Sequence, residues 1–301
     1  MRRISVLTPT HNRCESLRRL YRSLEASSYK EFEWIIVDDG STDDTRKTVE
    51  EIQSQSTFPV SYYYQENRGK YIALNWLYEL AQTEYCFQID DDDELLPEAM
   101  AHGLELWDSM PPEKKEKVWC VVGRCVDSET GAMVGKAFPD GINALGRKAL
   151  RKTLKQCAGE KCGFQKVSVV KSYRFPEIDG VKFIFESFLW DQINGDYEQF
   201  YTNEAFRIYY MPKRGGDNLS NRKFDQSAER AQSDYRLHKY ILTQCPKKYP
   251  FASKKYLRSI VYAITSGRLL GVKLSEIIRG MRFREKATVI CAYVLVVILR
   301  K

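Results

Sequence analysis

The chain has 301 residues, 43% of them apolar and 13% aromatic, with a net charge of +7. That apolar content excludes a chain disordered as a whole and suffices for one large core or two lobes. The charge is uneven: the first hundred residues are acidic and the remainder is basic, which argues against a nucleic-acid partner for the first third and suits phosphates or anionic lipid headgroups for the rest.

Taken in order, Ile4 to Thr8 reads as a buried strand, broken by Pro9-Thr10-His11-Asn12-Arg13. Leu17, Leu20, Tyr21 and Leu24 then recur at helical spacing. Phe32 to Val37 is the second strand, ended by Asp38-Asp39-Gly40-Ser41, and Asp43 or Ser41 can cap a helix running to about Ile52. Val60 to Gln65 is a third strand, Ala73 to Ala81 a helix, and Tyr85 to Ile89 a fourth strand followed by four aspartates. Short strands alternating with helices predict an α/β fold, a mostly parallel central sheet flanked by helices. Polar residues follow each of the four strands, and the carboxyl ends of parallel strands share one rim, where ligands bind in such sheets.

Further on, Trp119 to Val126 and Phe164 to Val170 read as strands, Phe183 to Ile193 as an apolar helix, and Ile208 to Met211 as a short strand before a turn at Pro212 to Gly216. From Lys223 the chain reads as mainly helical and basic. Ala287 to Leu299 is uncharged but shorter than the ~20 residues a spanning helix needs. Because Arg268, Lys273, Arg279, Arg282, Arg284, Lys286 and Arg300 surround its apolar patches, an interfacial helix is expected, with a buried core helix as the other reading. The eight cysteines form no C-x-x-C pair, and several lie in apolar runs, as expected of a reducing compartment. No signal peptide is read, since Met1-Arg2-Arg3 leads straight into a strand.

The clustered carboxylates carry the chemistry. Asp90, Asp91, Asp92 and Asp93 repel one another unless a divalent cation sits among them, and oxygen ligands suit Mg2+ or Mn2+. A solvated acidic helix start is the alternative. Asp38 and Asp39 can accept hydrogen bonds from a base or ribose, and Arg68-Gly69-Lys70 supplies cations for a diphosphate. Glu186 and Asp191, in an apolar segment, are candidate bases for an acceptor hydroxyl. No G-x-G-x-x-G or P-loop pattern is present, and no Ser-His-Asp triad is evident.

Together, Thr8-Pro9-Thr10-His11-Asn12-Arg13, Val37 to Thr45, Gln65 to Lys70 with Ala73-Leu74-Asn75, and Ile89 to Pro97 resemble the blocks of a family 2 glycosyltransferase with the A-type nucleotide-diphospho-sugar fold. The resemblance covers roughly residues 4–100. It implies an inverting transferase that moves a sugar from a nucleoside-diphosphate sugar, expected to be UDP-linked, to a saccharide or lipid-diphosphate-linked saccharide in surface polysaccharide synthesis. It implies nucleotide-sugar contacts at Thr8, Pro9, Arg13, Asp38, Asp39, Lys70, Asn75, Asp90 and Asp91. It implies a D-x-D pair at Asp90 and Asp92, with Asp92 the direct ligand of Mn2+ or Mg2+. Glu186 stands where the family has the first residue of Glu-Asp and would be the base, although Ser187 departs from that pattern. The expected division is a nucleotide-sugar-binding half at 1–100, an acceptor-binding and catalytic half at 101–220 and a helical extension at 221–301. The expected location is cytoplasmic, peripheral on an anionic membrane face. The competing functions are a nucleotidyl transferase, for which no activating loop is seen, and an inactive sugar-nucleotide-binding or membrane-associated protein.

Overall fold

A computed structural model describes residues 2–139, 157, 159–211, 227–245 and 253–298. The chain divides into two compact units, Met1–Phe175 with Phe185–Met211, and Pro176–Ile184 with Pro212–Lys301. The turn expected at Pro212 to Gly216 lies outside the described residues.

The first unit is a mixed eight-stranded sheet covered by helices, with the order β3-β2-β1-β4-β7-β6-β8-β5. Its first four strands are parallel to one another: β1 (Ile4–Thr10), β2 (Phe32–Asp39), β3 (Val60–Gln65) and β4 (Tyr85–Gln88). All seven residues of β1 are buried, because a strand between parallel neighbours is covered by helices on both faces and needs no polar side. Helix α1 (Cys14–Glu25) buries Leu17, Leu20 and Leu24, spaced along one face. Helix α2 (Thr45–Gln55) packs beside it, and α3 (Lys70–Leu80) is buried along most of its length. The expected caps of α2 differ in detail. Asp43 receives the Thr45 amide at 3.0 Å, one residue outside the helix, whereas the Ser41 hydroxyl receives the Asn12 amide at 2.8 Å.

The second half of the sheet departs from the parallel pattern. After β5 (Glu94–Leu95), α4 (Ala99–Ser109) and α5 (Pro112–Lys117), β6 (Val118–Asp127) and β7 (Lys161–Lys166) pair antiparallel, and β7 also runs antiparallel to β4. The run Phe164 to Val170 is not one strand: it leaves the sheet after Lys166 and closes a helical turn, α6 (Val167–Val170). The helix expected at Phe183 to Ile193 starts and ends later, as α7 (Ser187–Asp196). The strand before Pro212 is long, β8 (Glu198–Tyr209), parallel to β6 and antiparallel to β5. The halves are joined through aromatic packing: Phe87 of β4 stacks on Phe164 of β7 with centroids 4.3 Å apart and meets Phe206 of β8 edge-on at 5.7 Å.

In the second unit, the described residues from 227 onward are mainly helical: α8 (Ala228–Gln244), α9 (Lys254–Leu269), α10 (Leu274–Ile277) and α11 (Phe283–Ile298). Its core gathers Leu242, Tyr256, Ile260, Ile264, Ile277 and Val289. Ser227 and Ser253 cap α8 and α9 by accepting the amides of Arg230 and Tyr256, each at 3.2 Å. Among the described residues no helix is long and apolar enough to cross a membrane.

Candidate active site

The chain runs from β1 outward to β2 and β3, then returns to place β4 on the other side of β1. This is a topological switch point, where a crevice opens at the carboxyl ends of the strands. Thr10 and Asp38 lie level across β1 and β2. Thr8 and Pro9 are buried beneath the rim, the Thr8 hydroxyl accepting the Trp34 indole N–H at 3.0 Å. Asp38 spans from the Ser41 amide (2.8 Å) to the Tyr62 hydroxyl (2.6 Å). Asp39 receives the amides of Arg68 and Gly69 (2.8 and 2.9 Å) and the side-chain amide of Gln65 (2.7 Å). The carboxylate of β2 thus fixes the loop that leads from β3 into α3.

Two glycines make that turn possible. Gly40 has φ +81°, and an added Cβ would lie 2.6 Å from the Asn67 nitrogen. Gly69 has φ 102° and immediately precedes Lys70. Asn75 is buried in the same helix as Lys70. Its side-chain amide clasps Phe175, donating to its carbonyl at 3.0 Å and accepting its N–H at 2.9 Å.

Lys70 is the pivot of the site. Its Nζ is 2.7 Å from Asp90 Oδ1 and 2.7 Å from Glu186 Oε1. Glu186 occupies the cap position of α7 but makes no side-chain capping bond, so its carboxylate is turned to Lys70. Burial alone would lower the Lys70 pKa, but the two carboxylates outweigh it and hold the ammonium charged. Burial likewise raises Asp90, and the Lys70 charge and hydrogen bond reverse that shift, leaving it below the usual carboxylate range.

The other acids of the loop lack such full compensation. Burial, then the Asp92 charge, pushes Asp91 up to about 7, even though its Oδ2 accepts the Thr10 hydroxyl at 2.7 Å. Asp92 is raised by burial and by Asp90, with Arg13 opposing. Burial also pushes Asp93 up to about 7, against the charge of Arg207. Asp90, Asp92 and Asp93 each offer an oxygen, all within 4.8 Å of one another. Hard oxygen donors at this spacing fit a divalent cation, whose charge would also favour the ionised forms of Asp92 and Asp93 that burial opposes.

Side chains outside the recognised blocks hold this loop in place. Arg207, in β8, reaches Asp93 at 3.0 Å and is almost fully buried. Arg19, in α1, donates to the Asp92 carbonyl and lies 3.7 Å over the Tyr210 ring. The Tyr210 amide donates to Asp93 at 3.2 Å, and its hydroxyl donates to Glu94. The sequence signal for Arg207 was a cation inside the apolar stretch Phe206-Arg207-Ile208, which in a strand demands a buried partner.

The chain matches glycosyl transferase family 2 over residues 5–166, more than half its length. It belongs to that family. The Campylobacter jejuni GalNAc(5)-diNAcBac-PP-undecaprenol beta-1,3-glucosyltransferase is 27% identical over 226 residues, covering 74% of this chain and 69% of that one. The Bacillus subtilis protein TuaG, named for teichuronic acid biosynthesis, is 32% identical over 102 residues, 34% of this chain and 40% of its own. The fold is shared with Staphylococcus aureus TarS 1-349, solved with UDP-GlcNAc (TM-score 0.54, 17% identity, 97% of this chain and 89% of that one). It is shared also with the mannosyltransferase PcManGT of Pyrobaculum calidifontis, solved with GDP-Man and Mn2+ (TM-score 0.51, 18% identity, 99% and 81%). At family level the activity is sugar transfer from a nucleoside-diphosphate sugar to an acceptor.

Proposed function

We propose that the protein is an inverting glycosyltransferase that moves a sugar from a UDP-sugar to a hydroxyl of a saccharide or lipid-diphosphate-linked saccharide in surface polysaccharide synthesis. It works as a peripheral protein at the cytoplasmic face of a membrane. The observation that carries this is the single ammonium of Lys70, bridging the acidic loop at Asp90 and the carboxylate of Glu186. Donor and acceptor chemistry are thereby brought within one side chain's reach. The Campylobacter relative, whose name includes an undecaprenol diphosphate, supports the acceptor class.

In this mechanism the nucleoside lies along the loop that Asp38 and Asp39 hold, with Thr8 and Pro9 as its floor and Arg13 and Asp91 at its edge. Asn75 keeps α3 in place, and α3 carries Lys70. Asp92 with Asp90 would hold Mg2+ or Mn2+, which when bound supplies Lewis-acid stabilisation of the diphosphate. Lys70, drawn to the donor phosphates, releases Glu186. The acceptor oxygen attacks the anomeric carbon while Glu186 takes its proton. The carbon–oxygen bond to the diphosphate breaks, and the electron pair leaves on the phosphate oxygen. One displacement inverts the anomeric centre, and no second acid is required, because the diphosphate leaves unprotonated.

Nucleotide-sugars screened by calorimetry with and without chelator test the donor assignment. Asp92→Asn is expected to weaken metal-dependent donor binding, and Glu186→Gln to keep donor binding while losing transfer. Donor affinity indifferent to both chelator and Asp92→Asn would remove the metal from the mechanism. Transfer that survives Glu186→Gln would move the base elsewhere, to Asp191.

A further inference from the structure

The second unit holds a surface that sugar transfer does not use. Helix α11 buries Glu285 and Val289 against the core, and the opposite side of its turns faces outward. On that side Phe283 is 85% exposed, Ile290 40%, Val294 49% and Leu295 58%, with Cys291 exposed among them. Positions 283, 290 and 294 stack along one face of a helix. A soluble surface helix normally turns charged residues to water and apolar ones inward; this one keeps a continuous apolar strip outside.

Among the described residues of α9 and α11, every exposed charge is a cation. Helix α11 has one acidic residue, Glu285, which is buried and tied to Arg282 at its Nε (2.9 Å). Arg282 and Arg284 are exposed at the end where the strip begins. Neighbouring α9 contains no acidic residue and turns Leu257, Val261 and Leu269 outward beside the exposed Lys254, Arg258 and Arg268. The two helices share one core, and the Arg268 guanidinium sits 5.9 Å over the Tyr293 ring of α11.

We infer that the outward face of α11, from Phe283 to Leu295, is a docking surface for an anionic lipid bilayer, lying in the headgroup region parallel to the membrane. Exposed apolar side chains accompanied, on the described residues of α9 and α11, by exposed cations and no exposed acid match an interface that offers hydrocarbon beneath negative headgroups. A protein partner without an acidic rim would leave the arginines uncompensated. The inference specifies the peripheral location given above but is independent of donor chemistry, so its success or failure is read apart from transfer.

The test is flotation of the full chain with vesicles of phosphatidylcholine alone or mixed with phosphatidylglycerol. Binding is expected to the mixed vesicles and to weaken in high salt. Ile290→Asn with Val294→Asn should reduce it by at least about tenfold, as should Phe283→Ala with Arg284→Glu, while UDP-sugar affinity stays unchanged. To read the face without altering its apolar residues, a polarity-sensitive dye is attached to Cys291 in the Cys14→Ser chain. Its emission should shift to the blue on the mixed vesicles and be quenched by spin-labelled acyl chains. A dye that neither shifts nor quenches, or flotation equal for variant and parent, overturns the inference. So does sedimentation showing a dimer that the same substitutions dissociate, since a second copy would then cover the strip.

Discussion

Residues 4–93 and residues 161–210 serve the same site but bring their chemistry to it by different routes. In the first stretch each strand delivers polar residues at its own carboxyl end: Thr10 and Asp38 lie in the last residues of β1 and β2, and Asp90 just beyond β4. In the second, the key groups are brought in by pairing. Arg207 sits within a strand, and the Tyr210 amide meets Asp93 across 117 residues of sequence. Glu186 arrives at the start of a helix, and its carboxylate is held by Lys70. Chemistry encoded in local turns is visible in a linear pattern. Chemistry encoded in strand register becomes visible only once the strands are placed.

The comparison is most sharply tested at Arg207. If its role is to compensate Asp93 inside the sheet, Arg207→Met should destabilise the protein by about 3 kcal/mol or more in urea unfolding, since it leaves a buried carboxyl without its cation. Adding Asp93→Asn should restore a substantial part of that loss. A double variant no more stable than the single one would mean that Arg207 acts through Glu160 or the Lys161 carbonyl, its other partners at 3.5 and 3.3 Å.

At Lys70 the two routes meet. Lys70→Met is expected to lower kcat about a hundredfold, the scale for losing one preorganised charge in a water-poor site. Lys70→Arg should recover only part, because a planar guanidinium does not reproduce the two 2.7 Å contacts of a compact ammonium. Single-turnover assays at saturating donor separate this from weaker binding. A full rate for Lys70→Met under those conditions would reduce Lys70 to a structural bridge.

The second unit provides a contrast in which no residue of the proposed chemistry takes part. His238 stacks on Tyr262 at 4.7 Å, and burial, then Arg258 and Arg230, lower its pKa from near 6.5 to about 4. The unfolded chain therefore takes up this proton first as pH falls. The stability contributed by neutral His238 is intact above 6.5 and lost between about 6.5 and 4. His238→Phe keeps the stack and removes the titration, so its melting temperature should fall less than the parent's between pH 7 and 5. Equal slopes by circular dichroism would assign the acid sensitivity to other groups.

Much of the architecture was legible before any strand was placed, for reasons these residues make plain. The strands β1, β2 and β4 emerge from the sequence almost at their observed limits, because parallel central strands are apolar on both faces, and the edge strand β3 does so through its valine and three tyrosines. The boundary at Lys166 was not legible: Val167-Ser168-Val169-Val170 has the β-branched composition of a strand, and tertiary packing folds it into a helical turn instead. Most of β8 was also missed, since Glu198 to Glu204 carries polar, partly exposed residues and only its last turn of sequence is apolar enough to stand out. Within the site, the four aspartates were evident as a group, but their division of labour was not. That Lys70 serves Asp90, Arg207 serves Asp93, and Thr10 holds Asp91 depends on which side of the loop each one faces.

Asp91 shows what that division means for a single residue. As one of four adjacent carboxylates it counts as a charge available to the donor site. In the fold it is buried against the Thr10 hydroxyl, and its pKa is pushed up to about 7 by burial and by Asp92. An unfolded aspartate ionises near 4. The raised value therefore favours folding below that pH and loses its contribution as pH rises through about 7. Asp91→Asn cannot ionise and closely matches the neutral acid in shape. Without metal, the variant should gain stability relative to the parent on going from pH 5 to pH 8, by about 1 kcal/mol or more. It should also retain most of the donor binding that Asp92→Asn loses. If Asp91→Asn instead abolishes donor binding as Asp92→Asn does, the four carboxylates act as one charged unit, and the partners each has in the fold do not distinguish their roles.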